Sequence, residues 1–203
     1  MIYNDEVKND MIFEKWCQSE IVVPQWYSKI WPGCSIEEID KLSHPLAKML
    51  DVTSGIDKII RTKTCLMGLS QRIQRKACAN WNSITVRQTR HYRNGSESKS
   101  EFYKAIEAME KGGLMAAYQS HIYMDGNTIG DCSKILDAII VNRVAFFKWI
   151  TNGQKIKSHS TKNKYGTYQN FAYFYFGEIP KQIVFARYSE LPKPKLDRQL
   201  TFF

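Results

Sequence analysis

Long apolar runs are missing from this sequence. No stretch of about 18 consecutive apolar residues occurs, which argues against a membrane-spanning helix. The opening residues MIYNDEVKND are too polar for a signal peptide. We therefore expect no membrane partner and a cytoplasmic location. The chain has 203 residues, 43% of them hydrophobic and 24% charged, which suits a single domain with a sizeable core.

Clustered metal ligands, a phosphate-binding motif and a nucleophile motif are missing too. The five cysteines are scattered, without a CxxC pair and without a histidine at zinc-ligand spacing beside them. We interpret them as reduced thiols rather than as a metal cluster or a disulfide framework. The phosphate-binding pattern GxxxxGK(S/T) and the nucleophile pattern GxSxG are also absent, which argues against those two kinds of site.

Acidic residues are missing from the segment between Arg61 and Arg93, although the whole chain carries 20 of them. That segment contains eight cations, and the formal net charge of the protein is +9. Such a basic segment favours a polyanionic partner, because each cation placed on a phosphate releases a counterion. The alternative is a solvated surface on a basic protein. On the first interpretation, the residues expected to bind nucleic acid are Lys63, Arg75, Lys76, Arg87, Arg90 and Arg93.

The stretch 51–93 predicts three adjacent strands. Two apolar-rich runs, 55–60 and 65–73, flank the polar residues RTKT and are typical of a hairpin. A third run covers 83–87 and follows a loop at 79–82. We expect these strands to bring one carboxylate, several polar side chains and many cations onto one surface.

Alternation along the second of these strands separates its polar side chains. Ser70, Arg72 and Gln74 are expected on one face, because successive side chains of a strand point to opposite faces. The intervening residues then share the other face. Asp57 lies on the first strand of the hairpin, within reach of the polar face if the register allows.

Residues 1–50 are predicted to form a helical cover. A helix is indicated over 10–17, and Ser35 with Glu38 has the pattern of a capping box for a second helix. The aromatic residues between them, including Trp26, Tyr27 and Trp31, are interpreted as core cover rather than as a base-stacking platform.

The second half of the chain alternates between helices and strands. A helix after the polar loop 94–98 carries Glu101 in its first turn and ends at Gly112-Gly113, and another helix covers 144–150. Strands are predicted over 114–124, 171–176 and 182–187, whereas 134–141 suits a strand or a helix start. Segment 154–168 is predicted as a loop and 191–203 as an irregular tail. This order describes an α/β domain of the α+β kind, with a central mixed sheet flanked by helices and a core over 51–190.

The series SGIDKII, GLSQRIQ, ITVR and the helix SEFYKAIEAM resembles the core of the restriction-endonuclease-like fold, the PD-(D/E)xK superfamily. The resemblance covers roughly residues 50–124. It implies an aspartate near the end of one strand, an E-x-K motif on the next, and a helix packed behind them. It also implies carboxylates that hold one or two Mg²⁺ ions for phosphodiester hydrolysis.

The E-x-K position carries no acid in this chain. It falls on Ser70-Gln71-Arg72 or on Arg72-Ile73-Gln74. By the pattern of family members whose acid has moved to the following helix, Glu101, or less favourably Glu97, supplies the second carboxylate. The implied catalytic set is Asp57, Ser70, Arg72, Gln74 and Glu101, with Asp57 and Glu101 as ligands of Mg²⁺. The alternative is that Glu101 is only an acid that stabilises a helix N-terminus.

Three functions stay open at this point. The first is a divergent Mg²⁺-dependent nuclease, and the second is a catalytically silent nuclease-like module that binds nucleic acid, DNA ahead of RNA. The third is a protein-binding factor, such as a phage-type inhibitor whose basic face meets an acidic patch on a host protein. A homodimer is compatible with each of them.

Overall fold

The computed structural model describes residues 5–39, 50, 54–162 and 167–189. Two β-sheets and several helices make up this part of the chain, which confirms the predicted α+β class with a central mixed sheet. No helix among these residues has the length and apolar character needed to cross a membrane. The predicted tail at 191–203 and most of the second predicted helix lie outside the described residues.

The elements are numbered in chain order. The first sheet contains β1 (Ser35–Glu38), β2 (Lys58–Arg61), β3 (Leu66–Gln74), β6 (Tyr118–Met124), β7 (Ile135–Asn142) and β10 (Val184–Ser189). The second sheet contains β4 (Ser83–His91), β5 (Glu97–Lys99), β8 (Lys157–Lys162) and β9 (Tyr168–Tyr175). The helices are α1 (Asp5–Cys17), a π-helical segment (Gln18–Tyr27), α2 (Ser28–Ile30), α3 (Glu101–Glu110) and α4 (Arg143–Thr151), with 3₁₀ turns at Lys76–Trp81, Ile129–Asp131 and Phe176–Glu178.

The first sheet has the strand order β1-β2-β3-β6-β7-β10. Its strands are antiparallel except for the parallel pair β3 and β6. The second sheet has the order β5-β4-β9-β8 and is antiparallel throughout. The predicted hairpin is therefore confirmed as β2 and β3, with Lys58 opposite Leu69.

Two apolar clusters form most of the core. The N-terminal helices bury Trp26, Tyr27 and Trp31 against one face of the first sheet, which confirms their interpretation as core cover. A second cluster gathers Phe102 of α3 and Phe146 of α4 with residues of both sheets. Apolar side chains removed from water in this way supply the main favourable term in folding.

The third predicted strand is real but is not adjacent to the hairpin. The 3₁₀ turn Lys76–Trp81 and the left-handed residue Asn82 (φ 39°) redirect the chain, so that β4 enters the second sheet. The neighbour of β3 on that side is instead β6. The prediction of three adjacent strands was therefore wrong, because adjacency in sequence does not fix which sheet a strand joins.

Two further predictions are corrected in the same way. Residues 35–38 form the edge strand β1 and not the start of a helix, since Ile36 pairs with Ile60 and this tertiary pairing outweighs the local capping pattern. The polar segment 154–168 contains β8, which pairs with β9 as an edge strand. Edge position explains how this strand keeps polar side chains in solvent. The ambiguous run 134–141 is β7.

The turn after β6 brings two backbone segments into direct contact. The carbonyl oxygen of Gly126 accepts a 3.0 Å hydrogen bond from the N–H of Lys76, which begins the 3₁₀ turn toward the second sheet. A Cβ atom at Gly126 would lie 2.5 Å from Cα of Cys132. Gly130, in the same turn, has no atom within 4 Å of the corresponding position.

We expect Gly126→Ala to destabilise the protein by about 1–3 kcal/mol, because backbone atoms that cannot move away independently surround the added methyl group. Gly130→Ala is the matched control and should change the free energy of unfolding by less than about 0.5 kcal/mol. Urea denaturation of both variants measures the difference. Equal stabilities would contradict the close approach described at Gly126.

Candidate active site

Asp57 lies immediately before β2 and is held against β3. Its N–H donates to the carbonyl oxygen of Leu69 at 3.0 Å, which continues the hairpin pairing by one residue. Its Oδ2 atom accepts a 2.8 Å hydrogen bond from the N–H of Gln71. The backbone of β3 therefore fixes the carboxylate beside Ser70, on the polar face predicted from the alternation.

Glu101 reaches the same place from the first turn of α3. Its Oε1 atom accepts hydrogen bonds from the Ser70 hydroxyl at 3.1 Å and from Nη2 of Arg143 at 3.2 Å. Ser100 occupies the cap position of this helix. The glutamate is therefore both a first-turn acid, favoured by the helix dipole, and a partner of the β3 residue that stands where the resemblance expects an acid.

Arg143 ties the two acidic segments together. It follows β7 directly, where Asn142 pairs with Tyr118 of β6, and its side chain is 1% exposed. Its Nη1 donates to the carbonyl oxygen of Gly55 at 2.6 Å, while Nη2 pairs with Glu101. The Nε atom is buried and has no hydrogen-bond partner among the described residues.

The pKa of Asp57 depends in part on the nearby Glu101 carboxylate. The pKa of Asp57 is raised to about 7, chiefly by burial and then by the negative charge of Glu101, while the N–H of Gln71 and the charge of Arg143 act in the opposite direction. A carboxyl group whose pKa is raised by burial and by a second carboxylate in a cleft marks a functional-site candidate. A cation placed between the two groups would relieve this repulsion.

A cleft of about 300 Å³ opens over this cluster and has an acidic and a basic side. Arg87, Arg90 and Lys104 line it together with Asp57 and Glu101. The pKa of Arg87 is lowered to about 10, chiefly by burial and then by the positive charges of Arg90 and Arg72. Cations that repel one another in a partly buried cleft favour an anionic ligand such as a phosphate group.

Asp57 and Glu101 are the residues that could hold a magnesium ion. Oδ1 of Asp57 and Oε2 of Glu101 accept no hydrogen bond from the described residues, whereas the other oxygen of each group is engaged. Mg²⁺ prefers oxygen ligands and is commonly held by one or two carboxylates plus water and substrate phosphates. Within the described part of the chain, no group of three or more His, Cys, Asp or Glu side chains could form a larger metal centre.

Several predicted site residues gather in this cleft and others do not. Asp57, Ser70 and Glu101 are in one cluster, with Arg87 and Arg90 beside them. Glu97, the other acid considered, lies on β5 and pairs with His91 at 3.7 Å.

Arg72 and Gln74 do not line the cleft with the two acids. Nη1 of Arg72 donates to the Thr85 hydroxyl at 3.1 Å, and its guanidinium lies 5.2 Å from the ring centroid of Phe171. Gln74 ends β3, about 13 Å along the strand from Ser70 at the usual rise per residue. Arg72 therefore faces the second sheet, and Gln74 is too far from the acids to share their cleft.

The remaining predicted nucleic-acid residues are spread over the surface. Arg75 forms a 2.7 Å ion pair with Asp10 and stacks on Phe13, which attaches it to α1. Lys63 is in the exposed turn of the hairpin, Lys76 begins the 3₁₀ turn, and Arg93 is in the turn between β4 and β5. These four cations do not line the cleft.

Sequence reasoning missed Arg143 and Lys104. A signal for Arg143 was present, since it stands alone between a buried strand and an apolar helix, and a charged side chain in that position needs a partner. Lys104 follows Glu101 by three residues, so the two share one face of α3. Their involvement depends on which loops meet at the sheet edge, which no local pattern specifies.

Comparison with known proteins does not name a relative. No protein-family model matches the chain. Neither the curated proteins nor the solved structures contain a match to it. The likeness to the restriction-endonuclease-like superfamily therefore stays a prediction from the quoted motifs.

We expect Asp57→Asn to stabilise the protein above pH 7. The raised pKa of Asp57 means that the folded state disfavours its charge, so the parent loses stability as pH rises from near 4, the ordinary value, to about 7. The amide is neutral at every pH and retains an oxygen for the N–H of Gln71. Thermal unfolding of both proteins between pH 4 and pH 9 should show an advantage of the variant that grows up to about pH 7 and then levels off.

Glu110→Gln supplies the control, because this acid is exposed on the same helix as Glu101. Its melting temperature should follow that of the parent at each pH. If the melting temperature of Asp57→Asn also followed that of the parent at each pH, the fold would not disfavour the charged form of the Asp57 carboxyl group. The electrostatic description of the cluster would then be wrong.

Proposed function

We propose that the protein binds nucleic acid in this cleft and hydrolyses phosphodiester bonds with the help of Mg²⁺. The observation that carries the proposal is the meeting of Asp57 and Glu101, which belong to different elements, in a cleft that Arg87 and Arg90 also line. Two carboxylates facing a set of arginines suit a metal ion bridged to a phosphate. Of the residues indicated by the resemblance, Asp57, Ser70 and Glu101 belong to this arrangement.

Each side chain has a definable part in this reaction. Gln71, through its N–H, and Arg143, through Nη2, hold one oxygen of each carboxylate and leave the other directed to a ligand. Arg87 and Arg90 neutralise the phosphate and the charge that develops on it. Bound Mg²⁺ would polarise the phosphate and lower the pKa of an attacking water.

A second candidate function is binding without cleavage. The observation that favours it is the ion pair between Glu101 and Arg143, which already gives this carboxylate a cation of its own. The E-x-K position also lacks an acid, since Ser70 stands there. In that case Arg143 replaces the charge of a metal, and the arginines of the cleft hold the polymer alone.

The proposed hydrolysis predicts that Asp57→Asn removes activity while it stabilises the fold. We expect the rate of Mg²⁺-dependent cleavage of labelled DNA to fall about 100-fold or more, because loss of a ligand to a catalytic metal removes several kcal/mol of transition-state stabilisation. Gel-resolved cleavage with Mg²⁺, and with EDTA instead, measures the effect on single-stranded, duplex and branched DNA and on RNA.

Glu110→Gln should cleave at the rate of the parent. Activity of Asp57→Asn equal to that of the parent would rule out the proposed metal site. A parent protein that binds these polymers but leaves them intact with Mg²⁺ would support the silent module instead.

Both functions predict salt-dependent binding through the basic wall. Arg87→Ala should weaken binding to duplex DNA and reduce the slope of log K against log salt by about 0.9, the value for one lost phosphate contact. Lys29→Ala is the control, since Lys29 is exposed on the N-terminal helical cover. Fluorescence anisotropy across a salt series measures both slopes, and a flat salt response of the parent would contradict a nucleic-acid partner.

A further inference from the structure

A row of aromatic side chains covers part of one face of the second sheet. We call it the aromatic face and define it as Trp81, His159, Phe171, Tyr173 and Tyr175. The ring of His159 lies 5.6 Å from those of Phe171 and Tyr173, and it stacks on Phe171 at 18°. Trp81 meets His159 at 5.3 Å, and Tyr173 meets Tyr175 at 5.5 Å. The five rings therefore form one continuous surface.

The strand register places Phe171, Tyr173 and Tyr175 on the side of β9 opposite to its core-facing residues, where the buried Thr85 of β4 and Arg72 of β3 lie beside them. Directly opposite residues in antiparallel strands share a face, and Tyr173 is opposite both Thr85 and Lys157. The intervening residues of β9, Ala172 and Phe174, are buried in the core with α4. Alternation of the aromatic strand therefore divides its rings between a core and a second surface.

Two of the five rings are exposed to solvent. Trp81 is 44% exposed and Tyr175 is 41% exposed, while the other three rings are half-buried. Clustered exposed rings mark an interaction site more often than isolated ones do. The core does not require these rings, so a partner outside the described residues is the natural use for them.

Cations accompany the rings. The guanidinium of Arg72 lies 5.2 Å from the ring centroid of Phe171, and Nζ of Lys157 lies 4.5 Å from that of Tyr175. Lys157 also forms an ion pair with Glu178. Flat rings interleaved with cations are the composition that binds single-stranded nucleic acid, with bases on the rings and phosphates near the charges.

The aromatic face is continuous with the cleft. Arg87, which lines the cleft, is directly opposite Phe171, and Phe171 is directly opposite His159. Neighbouring strands are about 4.8 Å apart, so His159 lies about 10 Å from Arg87 across the sheet. A strand with one phosphate on Arg87 can therefore lay an adjacent base on these rings.

We propose that the aromatic face stacks the unpaired bases of a nucleic-acid strand whose phosphate occupies the cleft, which makes single-stranded nucleic acid the substrate class. This inference rests on the function proposed for the cleft. A duplex hides the faces of its bases within the stack, whereas a single strand presents them to aromatic side chains.

The test compares binding of a labelled oligothymidylate with that of a hairpin duplex of equal charge, by fluorescence anisotropy without divalent ions. Trp81→Ala and Tyr173→Leu each remove one ring, and the second keeps an apolar side chain in a half-buried position. Each should weaken binding of the single strand about 5-fold or more, as expected for 1–3 kcal/mol of stacking per base. Binding of the duplex should change less than 2-fold, about 0.4 kcal/mol at most.

Tyr103→Ala is the matched control, since Tyr103 is 38% exposed on α3 and is not part of the aromatic face. It should bind both polymers as the parent does, and thermal unfolding checks that every variant is folded. Arg87→Ala should weaken binding of both polymers.

The outcomes separate the two proposals. If Arg87→Ala loses binding but Trp81→Ala and Tyr173→Leu bind the single strand as the parent does, the aromatic face is not a stacking surface and the cleft function stands. Equal losses for single strand and duplex would also overturn the stacking inference. If the parent binds neither polymer, the cleft function fails with it, and a protein partner becomes the occupant of the aromatic face.

Discussion

The buried guanidinium of Arg143 is the constraint on which the candidate site depends. A charge removed from water is tolerated only when it is paired and hydrogen-bonded, and the two terminal nitrogens of this one bond a carbonyl oxygen of the loop before β2 and a carboxylate of α3. Those two contacts join the end of one loop to the start of one helix. They add to the anchor that β3 gives both acids, through the N–H of Gln71 for Asp57 and the hydroxyl of Ser70 for Glu101. The site is therefore organised by an internal ion pair as much as by the sheet.

Part of this arrangement could be predicted from the sequence because it depends on local rules. Alternation along β3 correctly separated Ser70 from Gln71, and the first-turn position of Glu101 follows from its helix cap. The remainder could not be predicted in this way. Arg143 lies 42 residues beyond Glu101 and meets it only because β7 returns beside β6. Ser35 and Glu38 show the opposite case, in which a sound local helix signal gave way to strand pairing.

The two sheets divide the basic residues of segment 61–93 into groups with different surroundings. Arg72 bridges to the second sheet, Arg75 is paired with α1, and Arg87 enters the cleft. Charge density along a sequence therefore overstated how many cations act at one place. The fold places carboxylates, arginines and aromatic rings next to one another in that order. Such an order of chemical types is suited to a ligand that itself alternates between phosphates and flat bases.

Packing around Arg143 restricts which residue can stand at position 55. It has a φ of 58°, which side chains rarely adopt, and a Cβ atom at this position would lie 2.8 Å from Nη2 of Arg143. Any larger residue would displace the guanidinium, and even with a shorter residue at position 143 the positive φ would still favour glycine. We therefore expect a relative that keeps this arginine contact to keep glycine at the position of Gly55 as well. A joint search for glycine two residues before the aspartate, and for arginine after the buried strand, offers a way to recognise distant kin that the individual motifs are too short to reveal.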